Sequence, residues 1–387
     1  MQRSSPKSFI VAARRTAVGR IGGLHRMRRV EELTAPVILK ALADARIAPS
    51  EVDQIILGNA TAGGNPARLV ALASGLPDAA AATTIDRQCA SGLDAITLAH
   101  SLIALGEARI VVAGGMESLS TAPWRVARPR NPYLMPHFVG HDQADGLGES
   151  RLVDAAETIA LRFQITRRRQ DEYAAATRER ALAAEEAKAF VNEIVPIEIE
   201  RRETRDESLA TVLDLDELGE LPVFREPDGT VTKGNAATMH DGAAVLIMVS
   251  ADVLKSLGRV PALAVIGTAT CGAHAGEEAT ASIEACRKLR TRLNGAIADK
   301  HTIVELNEAS AAEAIAFRDA LGVAEDNLNS DGGALARGFP FGAGSAVAAV
   351  RLCSRLLRGN GQGRADTGIA ISGSLGGSGA AIALQRV

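Results

Sequence analysis

Short apolar runs alternate along this chain with stretches whose apolar residues fall three and four apart. "SFIVAARRTAV" (8–18) reads as a strand and its exit, and "VEELTAPVILKALADARI" (30–47) as a helix. "VDQIILGNA" (52–60) is a strand, "NPARLVALASG" (65–75) a helix, and "AATTIDRQC" (81–89) a strand. "LDAITLAHSLIALGEA" (93–108) is helical, and "RIVVAGGMES" (109–118) is a strand that ends at glycines. This alternation predicts an α/β fold with buried sheet strands.

The C-terminal third repeats the grammar. "HTIVELNEASAAEAIAFRDAL" (301–321) follows the strand-then-helix pattern of "VDQIILGNATAGGNPARLVAL" (52–72). "DNLNSDGGALARGFPFGAGSAVAAVRLCSRLL" (326–357) follows the stretch around Cys89, and "TGIAISGSLGGSGAAIAL" (367–384) follows "ARIVVAGGMES". Two copies of one α/β unit predict a duplicated domain with a pseudo-two-fold axis. Cys89 and the loop at Phe339 then occupy equivalent points, both at helix N-termini facing a shared crevice.

Residues 119–235 have another texture. "NPYLMPHFVGHDQADGLGES" (131–150) is loop-like, "TRRRQDEYAAATRERALAAEEAKAF" (166–190) is a charged helix capped by Thr166, and "FVNEIVPIEIERRE" (190–203) reads as a strand. The predicted organisation is therefore an N-terminal half of 1–118 plus 236–260, an inserted loop domain of 119–235, and a C-terminal half of 261–387. The insertion is expected to cover one end of the sheets, where α/β folds hold their sites.

Composition narrows the function classes. A chain of 387 residues, 47% of them hydrophobic, with a formal charge of −3, has a globular make-up. That charge argues against a nucleic-acid or membrane-surface role. The basic runs "RRRQ" and "ERRETR" are flanked by acids and read as solvated faces. No apolar run approaches a membrane span, and the first residues lack a signal-peptide core. Cys89, Cys271, Cys286 and Cys353 form no CxxC pair, and the histidines show no HExxH spacing. A disulfide framework or metal site is not expected, and a reducing cytoplasm is the default compartment.

Two readings compete at Cys89. Free cysteine is very often a small buried hydrophobe. A cysteine at a helix N-terminus, however, meets unpaired backbone N–H groups and the positive end of the helix dipole, both of which favour the nucleophilic thiolate. Ser91 and Gly92 follow it and leave room for close approach. These features, with the duplicated partner loop, favour the nucleophile.

The ordered stretches "RTAVGRIGG", "DRQCASGLDAI", "GGMESLSTAPW", "GTVTKGNAATMHDGAAVLIM", "VELNEASAAE" and "GGALARGFPFGAGSA" together resemble the thiolase family over nearly the whole chain. The resemblance implies a duplicated, five-layered α-β-α-β-α fold, a homodimer or homotetramer, and a coenzyme A thioester as substrate with no resident cofactor. It implies that Cys89 takes the acyl group as a thioester. Asn307 holds a water that helps bind one thioester oxygen, unless the Asn-Glu pair only ties a strand end to a loop. Backbone N–H groups of Cys89 and Gly376 form a second oxyanion site.

The resemblance breaks at the acid–base positions. Thiolases carry histidine in a Gly-His-Pro block, where this chain has Gly338-Phe339-Pro340, and a second cysteine where it has Ser374. Each lost acid–base group typically costs about 10²–10⁴ in rate. On the coenzyme side, "GELPVF" places Leu221 and Phe224 in the adenine-site segment. Ala237 replaces a serine that meets the pantetheine arm, Arg151-Leu152 replace His-Met, and Ser310 replaces a pocket phenylalanine. His274 and His240 are the candidate substitute bases. The sequence thus implies an acetyl-CoA C-acyltransferase-type enzyme with impaired or altered acid–base chemistry. Its rival is a thiolase-fold binding or scaffold subunit without turnover. A condensing enzyme fed by an acyl carrier fits less well, because the histidines it needs are missing at the matching places.

Overall fold

The structure is a computed structural model. It describes residues 7–129, 131, 133–141, 152–197, 204–210, 213–275, 277–294, 302–358 and 366–387. In chain order the first half contributes β1 (Ser8–Arg15), β2 (Gly19–Arg20), α1 (Val30–Ala45), β3 (Gln54–Gly58), α2 (Pro66–Ala73), β4 (Ala81–Ile85), α3 (Ser91–Leu105) and β5 (Ile110–Glu117). There follow β6 (Arg125–Ala127), β7 (His137–Val139), α4 (Leu152–Arg162), α5 (Arg167–Glu186) and α6 (Leu215–Gly219). The chain returns through β8 (His240–Ser250), α7 (Ala251–Leu257), β9 (Leu263–Gly272), α8 (Glu278–Arg292), β10 (Ile303–Asn307) and α9 (Ala311–Leu321). It closes with α10 (Ala334–Arg337), α11 (Phe341–Arg358), β11 (Thr367–Ser374) and β12 (Ser378–Arg386).

The duplication is visible in the strand order. One half runs β4-β3-β5-β8-β1 and the other β9-β12-β11-β10, joined where β1 meets β9 at Phe9–Ala264 and Ile10–Leu263. In each half a parallel pair (β3 with β5, β10 with β11) continues into antiparallel neighbours. Leu328 bridges Val304 in parallel at the position that β4 holds in the first half. The inner faces of both halves close on α3 and α11, burying Ile56, Leu246, Ile303 and Ile382 with Ile96 and Val350. α1 and α2 cover the outer face of one half, and α8 and α9 that of the other. The result is the layered α-β-α-β-α arrangement. The two central helices touch closely: a Cβ on Gly92 would lie 2.8 Å from that of Ala346, so the small residues read from the sequence have a packing reason.

Thr166 caps α5 as its sequence predicts, accepting from the Arg169 N–H at 3.4 Å. The strand expected at 190–203 is not formed over its described part. Residues 187–193 are turns, and Ile194 makes a single bridge to Arg15; residues 198–203 lie outside the described set. Ile194 and Val195 are buried in apolar clusters, Val191 is exposed, and Phe190 is buried against charged partners. Phe190 packs under the guanidinium groups of Arg351, Arg15 and Arg337, at 4.6, 5.7 and 6.0 Å. Glu193 joins Arg15 at 2.9 Å and Arg351 at 2.5 Å, and Asp206 accepts from Arg15 at 2.6 and 3.0 Å. All four ionised side chains are fully buried, so this network ties the inserted segment to both halves.

Candidate active site

Cys89 lies in a 3-10 turn, Gln88–Ala90, that runs directly into α3. The turn is wound tightly: Gln88 has φ +51°, a left-handed conformation that a non-glycine residue adopts at a cost. Ser91 locks it, accepting from the Arg87 N–H at 2.8 Å and donating to the Gln88 carbonyl at 2.6 Å. The second half clips the same loop from across the centre. Ser374 Oγ donates to the Arg87 carbonyl at 2.7 Å, and Arg87 Nη1 donates to Ser378 Oγ at 3.0 Å. The Arg87 guanidinium also grips Asp94 with two nitrogens.

The thiol is 1% exposed. It sits in an apolar cluster with Phe339, Phe341, Leu375 and Ala334, flanked by the half-buried Leu119, Leu152, Ala237, Met239 and Ala309. Phe339 and Phe341 meet edge to face, with ring centroids 5.9 Å apart. Burial pushes the Cys89 thiol well above the ordinary thiol range. The carboxyls of Glu313 and Glu278 push the same way, while the Leu375 backbone pulls it back. The positive end of α3 therefore does not yield the ready thiolate that position alone predicts.

Each predicted site residue has a definite place. Asn307 ends β10 and is buried; its Nδ2 donates to Ser372 Oγ at 3.1 Å, and the Ser372 hydroxyl is shared between the Gly373 carbonyl at 2.8 Å and the Cys89 carbonyl at 3.3 Å. Its amide thus ties the strand end to the nucleophile loop. Gly376 follows Leu375 in the turn between β11 and β12 with φ +86°. Ser374 is buried, and its hydroxyl proton is committed to Arg87.

The two candidate substitute bases differ in their surroundings. His240 is buried, with Nδ1 donating to the Thr238 carbonyl at 2.6 Å and Nε2 accepting from Ser208 at 2.7 Å. Burial lowers its pKa. It meets the Phe339 segment twice: its backbone N–H donates to the Phe339 carbonyl at 3.2 Å, and the Phe339 N–H lies 3.3 Å from its ring Nδ1. His274 is exposed on the loop after β9; its carbonyl, not its ring, abuts Gly377.

On the coenzyme side the structure gathers only some of the predicted residues. Leu152 and Ala237 join the Cys89 cluster. Ser310 is buried and caps α9, accepting from the Glu313 N–H at 3.1 Å, so it is a helix cap and not an open pocket wall. Leu221 and Phe224 lie outside the cluster: the Leu221 carbonyl accepts from Arg167 at 3.2 Å, and Phe224 is 51% exposed. Arg151 lies outside the described residues. Among the described residues no group of three or more His, Cys, Asp or Glu is arranged to hold a metal, and no helix is long and apolar enough to cross a membrane.

Sequence reasoning missed the buried carboxyls around this centre. Glu313 accepts from the Ala309 N–H at 2.8 Å, its other oxygen has no hydrogen-bond partner, and burial raises its pKa to about 8. Glu308 receives Asn329 Nδ2 at 2.5 Å and is raised to about 7 by burial. Glu117 holds the start of α11 through the Gly342 N–H at 2.8 Å and also binds Asn59, Ala60 and Thr61; burial raises it to about 7. The available signal was Ser310 followed three residues later by Glu313, a capping pattern, which reads as a helix start and not as a buried charge.

The family comparison decides the lineage. The description "Thiolase, N-terminal domain" matches residues 8–252, and "Thiolase, C-terminal domain" matches residues 260–386. The chain belongs to the thiolase family. It is 36% identical over 363 residues to a probable acetyl-CoA acyltransferase of Staphylococcus epidermidis, covering 90% of this chain and 92% of that one. It is 35% identical over 403 residues to a β-ketoadipyl-CoA thiolase of Pseudomonas putida, covering 98% and 99%. Among solved structures it superposes on the Bacillus anthracis acetyl-CoA acetyltransferase with a TM-score of 0.92, at 30% identity, covering all of both chains. Within this thiolase, Phe339 and Ser374 stand at the two places where the family resemblance leads one to look for the proton-transfer groups. Both are packed and bonded as structural residues.

Proposed function

We propose that this thiolase is an acyltransferase acting on acyl-coenzyme A thioesters through an acyl-enzyme on Cys89, with slow and altered acid–base chemistry. The observation that carries the reading is the placement of Cys89. It stands in the turn that opens α3, where the two duplicated halves meet, packed with Leu375 of the turn that follows β11. The Cys89 thiolate attacks the thioester carbonyl, the carbonyl oxygen is received by backbone N–H groups of Cys89 and of the Leu375–Gly376 turn, and the coenzyme A thiolate leaves. We place the entry of the acyl chain on the cluster's half-buried side, at Leu152, Ala237, Met239 and Ala309. Coenzyme A is substrate here and not a resident cofactor.

The test is mass spectrometry of the chain after incubation with acetyl-CoA and longer acyl-CoAs, with Cys89→Ser as control. An acyl adduct on Cys89 supports the reading. Absence of an adduct with every thioester, from a thiol that iodoacetamide still alkylates, would falsify it.

A second reading has an observation of its own. Phe339 and Phe341 wall the thiol into hydrocarbon, as in a subunit that binds or scaffolds without turnover. Thiolysis and condensation assays on the native chain and on Phe339→His with Ser374→Cys separate the two. Native turnover at rates typical of enzymes rejects the scaffold reading.

A further inference from the structure

We infer that Glu117, at the end of β5, is a positioning residue for Cys89: it fixes the start of α11, and with it Phe339 and Phe341, against the nucleophile turn. The inference rests on the acyl-enzyme reading above and adds to it a residue that lies outside the Cys89 cluster.

Four donors from two distant segments converge on this one carboxylate, which is fully buried. Its Oε1 receives Asn59 Nδ2 at 2.9 Å and the Thr61 hydroxyl. Its Oε2 receives the Ala60 N–H at 3.0 Å and the Gly342 N–H at 2.8 Å. Gly342 lies in the first turn of α11, where the helix supplies no acceptor of its own for the N–H and favours a negative charge. The carboxylate therefore clamps the segment after β3 to the start of α11.

The clamp bears on the thiol because backbones meet there without side chains between them. A Cβ on Gly58, the last residue of β3, would lie 2.5 Å from the Ser91 carbonyl carbon, 2.6 Å from the Gly92 nitrogen and 2.7 Å from the Gly342 carbonyl oxygen. One glycine thus touches both the start of α3, which follows Cys89 directly, and the start of α11. A Cβ on Gly342 would in turn lie 2.6 Å from Asn59 Cα, and the Leu93 N–H donates to Ser345 Oγ at 3.1 Å, a second tie between the two helix starts. Phe341 immediately precedes Gly342, and with Phe339 it walls the thiol. With so little slack, a loosened clamp reaches those walls as a backbone shift. A misplacement of about 1 Å at a reacting centre can cost on the order of 10² in rate.

Glu117→Gln keeps the size of the side chain but offers one acceptor oxygen in place of two, so two of the four donors lose their acceptor. The full chain and the variant are incubated with acetyl-CoA at pH 8, above the value of about 7 to which burial raises Glu117, and the Cys89 peptide is followed by mass spectrometry. Iodoacetamide alkylation is timed alongside. In the variant, acylation at saturating acetyl-CoA should be at least about tenfold slower, with the half-saturating concentration changed less than about twofold. Alkylation should be at least about threefold faster, because the Phe341 wall has loosened. Asp53→Asn is the control for a purely structural clip: Asp53 receives the Arg109 and Ile110 N–H groups at 2.7 and 2.9 Å at the opposite end of β5. Its loss should lower the urea midpoint and leave both rates within about twofold of native. Should Glu117→Gln not fold, Thr61→Val withdraws a single donor and is read in the same directions, at about threefold for acylation. Acylation within about twofold of native, or a loss that Asp53→Asn reproduces, overturns the positioning role and leaves the acyl-enzyme standing. An unchanged alkylation rate overturns the clamp whether or not the thioester reacts. Absence of an adduct on a native chain whose Cys89 is alkylated overturns the acyl-enzyme reading itself.

Discussion

Ser374 Oγ donates to the carbonyl oxygen of Arg87 across 2.7 Å and 287 positions of sequence. The hydroxyl stands where thiolases are expected to keep a proton-shuttling thiol, and here it works as a clasp between the two halves. Ser374→Ala leaves the Arg87 carbonyl without its partner and should cost about 1–3 kcal/mol, seen as a lower urea midpoint at unchanged slope. Ser374→Cys combined with Phe339→His should instead raise thiolysis by at least about 10². No gain from that double variant would mean that these two positions do not set the rate.

Cys89 should behave as a sluggish thiol. Burial and the neighbouring carboxyls raise its pKa, so the reactive thiolate is scarce at neutral pH. Alkylation by iodoacetamide should climb about tenfold per pH unit between pH 7 and 9 with no plateau. A rate that levels off below pH 8 would show a pre-formed thiolate.

The buried ion network should be brittle. Arg15→Ala strips Glu193 and Asp206 of a fully buried partner and should destabilise the fold by about 3–5 kcal/mol. Chemical denaturation measures it, and a loss under about 1 kcal/mol would mean that the carboxylates find water or other partners.

The buried acids give stability a definite pH slope. Glu117 and Glu308 are raised from 4.5 to about 7, and Glu313 from 4.5 to about 8. Between about pH 4.5 and 8 the folded chain holds protons that the unfolded chain has released. Their contribution is thus fully present below about 4.5 and is lost as pH rises towards 8. Urea midpoints taken from pH 5 to 8 should fall for this reason, and Glu313→Gln should flatten the upper part of that fall. An unchanged slope in the variant would show that Glu313 ionises normally.

Much of this architecture is legible from side-chain periodicity. The runs at 52–60 and 301–307 became matching parallel strands because buried parallel strands need continuous apolar residues, and chain connectivity then placed Cys89 and Phe339 at equivalent helix starts. What stayed hidden depended on neighbours remote in sequence. Thr166 and Ser310 have the same capping chemistry, yet only Ser310 lies buried beside Ala237, a proximity set by a bridge between Ala236 and Ser310. His240 looked available because its ring's neighbours, Thr238, Ser208 and the Phe339 N–H, are set by a fold that sequence spacing does not reveal. Phe190, Ile194 and Val195 have a strand's composition, but Arg15, Arg337 and Arg351 surround the first of them and take the place of a ladder.

The clip at Arg87 has a consequence for biosynthesis. The nucleophile belongs to the first quarter of the chain, while Phe339, Ser374, Leu375 and Ser378 emerge from the ribosome near the end. Until those residues have been made, Cys89 lacks the neighbours from the second half that bury it.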